Sequence, residues 1–85
     1  MIRKRIIFTG SVQGVGFRYR ARHAAELYGC TGWVRNEYDG TVTTELQGTE
    51  EAMDKLWEMV RHGSFIRIEG YEMTELNVDG TECGF

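Results

Sequence analysis

The chain contains no proline, so no turn can rest on a ring-fixed backbone angle, and the 11 glycines must supply the chain reversals. Cysteine is nearly absent too. Cys30 and Cys83 lie 53 positions apart without a CxxC pair, which argues against a zinc knuckle or a disulfide framework and favours two reduced thiols. Long apolar runs are missing. Ile6-Ile7-Phe8, the strongest near the start, falls short of the roughly 7–15 residues of a secretory core and the ~20 of a membrane helix. A cytoplasmic chain without a membrane partner is expected. With 85 residues there is room for one domain, 1–85, and a chain this short hides only about 60–65% of its surface on folding. A functional site must therefore be shallow and lie at an edge.

Charge is unevenly distributed. Residues 1–35 carry seven basic groups (Arg3, Lys4, Arg5, Arg18, Arg20, Arg22, Arg35) against one acid, Glu26; residues 36–85 carry three basic groups against twelve acids. The net charge of −3 thus conceals a front third that attracts anions.

Hydrophobic periodicity divides the chain into six elements. Arg5 to Val12 alternates, placing Ile6, Phe8, Gly10 and Val12 on one face of a strand. Phe17, Ala21, Ala24, Ala25 and Tyr28 form a helical stripe that stops at Gly29. Trp33 to Asn36 and Thr41 to Leu46 flank Glu37-Tyr38-Asp39-Gly40 and read as an antiparallel hairpin. Thr49 caps a second helix with Glu50 and Glu51 in its first turn, an apolar face of Met53, Leu56, Trp57 and Val60, and an end at Arg61-His62-Gly63. Phe65 to Ile68 begins a fourth strand, with a phase shift at Gly70 that signals a bulge, and Glu82 to Phe85 offers a short C-terminal edge strand.

The order βαββαβ defines an α+β, ferredoxin-like sandwich: one antiparallel sheet in the order 4-1-3-2 with both helices on one face. Right-handed crossovers make strands one and two run in the same direction. Their downstream loops then open at one sheet edge, bringing the segment Gly14 to Arg18 beside Asn36.

That segment carries the first chemical signal. Between strand one and helix one, the glycines of Gly10-Ser11-Val12-Gln13-Gly14-Val15-Gly16-Phe17-Arg18 allow successive N–H groups to turn inward as an anion nest. The helix N-terminus and the guanidinium of Arg18 add to it. Gly14-Val15-Gly16 lacks the third glycine of a dinucleotide fingerprint, and no Gly-Lys-Ser/Thr is present, so a bound nucleotide is not expected.

This segment, together with Gly32-Trp33-Val34-Arg35-Asn36-Glu37-Tyr38-Asp39-Gly40-Thr41-Val42, resembles the two motifs of the acylphosphatase family. The resemblance spans essentially the whole chain, including the element order and Gln47-Gly48 before helix two. It implies hydrolysis of acyl phosphates to a carboxylate and inorganic phosphate, with Arg18 binding the phosphate and Asn36 positioning the attacking water. Gln13, Gly14, Val15, Gly16, Phe17 and Arg18 would form the phosphate-binding loop. Three positions depart from the family's pattern: Cys30 replaces an aliphatic residue, Gly63-Ser64 a Gly-Pro, and Thr43 an acid. None lies in the residues assigned to the chemistry.

The implied reaction suits so small a residue set. A carboxylate leaving group, of conjugate-acid pKa about 4, needs no general acid in a loose phosphoryl-transfer transition state. No metal and no cofactor are expected. Inorganic phosphate and sulfate are expected as competing anions, and the protein as a monomer. His23 and His62 read as surface or helix-end residues, Trp33 and Trp57 as core, and Asp39 as a turn residue. An RNA-binding module shares the element order, but Thr41-Val42-Thr43-Thr44-Glu45-Leu46 offers no ring for a base and the net charge is negative, so no nucleic-acid partner is expected. The remaining alternative is a non-catalytic, anion-binding domain. Such domains also stand at the front of hydrogenase-maturation carbamoyl-transfer proteins, and the end of this chain at Phe85 favours the free-standing enzyme.

Overall fold

A computed structural model describes residues 1–85. Its elements run β1 (Ile2–Ser11), α1 (Phe17–Tyr28), β2 (Thr31–Asn36), β3 (Val42–Gly48), α2 (Glu50–Arg61) and β4 (Arg67–Leu76). The four strands form one antiparallel sheet in the order β2-β3-β1-β4, the expected order read from the other edge. Both β1 and β2 pair antiparallel with β3, so they point the same way.

Period-two alternation decides which face is covered. Ile6 and Phe8 of β1 and Val42 and Leu46 of β3 are buried with Phe17, Ala21, Ala24 and Ala25 of α1 and Met53, Leu56 and Val60 of α2 in a single core. The small alanine stripe of α1 lets that helix approach closely, and the ring of Phe8 bridges the two helices, its centroid 5.2 Å from Phe17 and 5.0 Å from Trp57. Gly29 ends α1 in the left-handed conformation, and the Thr49 side chain accepts from the Ala52 N–H to start α2.

Four expectations need correction. β1 begins at Ile2, not Arg5, because the buried Arg3 is held by partners on β3 and the C-terminal segment. β4 begins at Arg67, which pairs with Ser11, the last residue of β1; Phe65 has no strand to face and stands exposed in a turn after α2. Trp33 is not core. It lies half-buried on the sheet face away from the helices, with the Arg35 guanidinium 5.1 Å above its ring. The tail Glu82 to Phe85 forms no strand: it makes one backbone bond to β2, Gly32 N–H to Gly84 O at 3.1 Å, and Gly84, with φ 81°, breaks the extended course. The bulge appears as expected, with Thr9 facing Gly70 and Gly10 facing Ile68, so that Glu69 is the extra residue.

Candidate active site

The sheet brings the two halves of the site together. Phe8, Val42 and Asn36 occupy one row across β1, β3 and β2, and the Val12 to Gly16 loop leaves β1 just beyond that row. Asn36 is the last ladder residue of β2, directly before the Glu37–Gly40 turn. In that turn Gly40 N–H donates to Glu37 O at 3.2 Å, and Glu37 N–H donates to Thr41 O at 2.9 Å. Asp39 is the turn residue expected: its Oδ1 accepts from the Thr41 hydroxyl at 2.7 Å and N–H at 3.0 Å, and these bonds hold its carboxyl below the ordinary range.

Within the loop, residues alternate between anchoring and presenting. Val12 and Phe17 are buried and Val15 packs against the core, which fixes the backbone. Gly14 and Gly16 adopt φ of 70° and 82°, a region costing an L side chain about 1–2 kcal/mol and one from which anion-binding N–H nests are built. The N–H groups of Gln13, Gly14, Val15 and Gly16 have no backbone partner, and no side chain caps α1 at Gly16. Arg18 follows in the first turn. Arg3, Arg5, Arg35 and Arg61 are engaged in ion pairs and Arg20 donates to Met59 O, whereas exposed Arg18 has no protein partner. Arg22 and Arg67 are also free, but only Arg18 adjoins the loop.

Two side chains complete the picture. Asn36 Oδ1 is buried and meets no protein donor, a state costing about 1–3 kcal/mol unless a ligand or water satisfies it. The Gln13 side chain is engaged with the hairpin. Its Nε2 donates to Glu37 O at 2.7 Å and Thr41 O at 2.9 Å, so its side chain ties the loop to the hairpin, and only its main-chain N–H is left to face an anion. Sequence reasoning missed this tether because a glutamine in a glycine loop carries no signature of the carbonyls it will meet. No three His, Cys, Asp or Glu side chains converge on a common point.

These features define a ferredoxin-like domain with an anion-complementary loop and a neutral amide at one sheet edge. A profile of the acylphosphatase family matches residues 4–85. A curated acylphosphatase of Bacillus licheniformis is 45% identical over 76 residues, covering 88% of this chain and 84% of that protein. The crystal structure of acylphosphatase from Bacillus subtilis superposes with a TM-score of 0.89 at 36% identity, covering 100% of this chain and 96% of that one. A HypF protein of T. kodakarensis also matches, with TM-score 0.80 and 29% identity, over 95% of this chain but 11% of its own. The chain belongs to the acylphosphatase family, hydrolases that act on phosphorus-containing acid anhydrides.

Proposed function

We propose that this chain, as a single domain, hydrolyses the carboxyl–phosphate bond of small acyl phosphates by direct attack of an Asn36-positioned water on phosphorus. The observation that carries this reading is the buried, unpartnered Asn36 Oδ1 beside a loop whose N–H groups and Arg18 are equally unpartnered. The loop from Gln13 to Arg18 binds the phosphoryl oxygens through its N–H groups, the α1 N-terminus and the Arg18 fork. Asn36 Oδ1 accepts from the water, and its amide N–H donates to the phosphoryl group, aligning the two for in-line attack. The water oxygen–phosphorus bond forms as the phosphorus–acyl oxygen bond breaks. The electron pair leaves on the carboxylate, and the water's proton passes to a phosphoryl oxygen of the substrate.

The site grips the phosphoryl group and leaves the acyl portion in solvent, so benzoyl, acetyl and carbamoyl phosphates are all accepted. Inorganic phosphate and sulfate inhibit competitively because they occupy the same loop. The test is hydrolysis of benzoyl phosphate in isotopically labelled water with excess EDTA. Undiminished turnover with the label in phosphate is expected. Label in benzoate would place the attack at the carbonyl, a metal requirement would overturn the metal-free site, and no turnover would make this an anion-binding domain.

A further inference from the structure

We propose that Gln13 is a positioning residue that fixes the distance between the anion loop and Asn36. The inference rests on the proposed water-positioning role of Asn36 and adds to it the part that sets its geometry. Gln13 belongs to both halves of the site: its main chain lies in the loop and its half-buried amide lies against the hairpin. Both carbonyls it meets already accept a bond inside the turn, from Gly40 N–H and Glu37 N–H, and Gln13 takes the second acceptor site of each. Glu37 directly follows Asn36, and Thr41 directly precedes Val42, the ladder partner of Asn36.

No other hydrogen bond joins residues 12–18 to residues 36–41. The sheet connects β1 to β2 only through β3, and the hairpin turn projects beyond the last ladder pair, Asn36 with Val42. Without the Gln13 amide, the loop would still bind phosphate and Asn36 would still bind water, but their separation would fluctuate. A misplacement of about 1 Å between nucleophile and electrophile costs on the order of 100-fold in rate. Gln13 therefore acts on turnover through Asn36, with little effect on anion affinity.

The experiment measures kcat on benzoyl phosphate, the competitive inhibition constant of inorganic phosphate and the melting temperature for Gln13→Met, Asn36→Ala and the double variant. Methionine matches the length of glutamine without its donors. Gln13→Met should lower kcat about 10- to 100-fold with phosphate inhibition within about threefold of the parent, and should add no further loss in the Asn36→Ala background. Gln13→Glu should be as impaired at neutral pH, where a carboxylate faces two carbonyls, and should recover relative to the parent as pH falls and the neutral acid regains one donor. If Gln13→Met does not fold, Gln13→Asn, too short to reach both carbonyls, carries the same expectation. A folded Gln13→Met protein with nearly full kcat overturns the proposal, as does a parallel loss of phosphate affinity or a multiplicative loss in the double variant. If Asn36→Ala itself keeps full kcat, the water-positioning reading fails; if Asn36→Ala is crippled and Gln13→Met is not, only the role of Gln13 fails.

Discussion

At the start of β1 the buried Arg3 donates to Glu45, Gln47 and Glu82, at 2.7 Å and 3.0 Å to the two Glu82 oxygens, while Gln47 exchanges hydrogen bonds with Asp79 N–H and O. Beyond the other end of the same strand, Arg18 is unpaired, four successive N–H groups lack backbone partners, and Asn36 Oδ1 is orphaned. Five residue steps along β1, about 17 Å, separate the Arg3 and Phe8 rows. Both ends concentrate polar groups in a small fold. One end is closed on itself and holds the C-terminal segment in place; the other is open, and its unmet hydrogen-bonding capacity is what the proposed oxyanion binding rests on.

Substitution of one arginine at each end should have the largest and most opposite effects. Arg18→Gln should reduce kcat/KM by about 1,000-fold and weaken phosphate inhibition at least tenfold, because in the proposed mechanism its charge serves bound ground state and transition state alike, with the melting temperature little changed. Arg3→Leu should do the reverse. It leaves Glu45 and Glu82 facing each other without their shared cation and should remove about 3 kcal/mol of stability in denaturant titrations, with kcat unchanged in the folded protein.

Acid sharpens the contrast less drastically. The Arg3 hydrogen bonds hold the Glu82 carboxyl below its usual range against the opposing effect of burial. For Glu45, burial pushes the pKa up, but the hydrogen bonds from Arg5 and Arg3 outweigh it and the net direction is also down. Both carboxylates therefore bind fewer protons folded than unfolded in this range, so their contribution is complete above the unfolded value of about 4.3 and is lost as pH falls through the lower folded values. The denaturation midpoint should drop steeply below about pH 4 and do so less steeply in Arg3→Leu. The smallest expected effect lies at Cys83, exposed beside Glu82. Its alkylation in the native protein should leave kcat unchanged, while Cys30, buried and with its thiol pushed up by desolvation, should react only after unfolding.

The open end was far more legible in the sequence than the closed one. Glycines at Gly14 and Gly16, an arginine in the first helical turn and a hairpin signal after Asn36 are local patterns, and the right-handed crossover rule brings them together. Helix limits were equally local: Gly29 and Thr49 act where they stand. The Arg3 cluster is not local. Arg3 and Glu82 are joined by register and tail path, and a charged Arg3-Lys4-Arg5 run gives no sign that one of the three is buried. The same reason misplaced the ends of β1 and β4. Arg3 pairs with Leu76 and Ser11 with Arg67, so each strand extends as far as its partner does, a limit that residue alternation in either one alone does not contain.

In the proposed mechanism Asn36 places the water while the loop and Arg18 hold the anion. Asn36→Ala tests it most directly, with kcat, competitive phosphate inhibition and melting temperature measured on one preparation. At least a ~100-fold fall in kcat, about 2.7 kcal/mol of barrier, is expected, with phosphate inhibition and melting temperature close to the parent's. A folded Asn36→Ala protein that keeps nearly full kcat, or one that loses phosphate affinity in step with turnover, would contradict it.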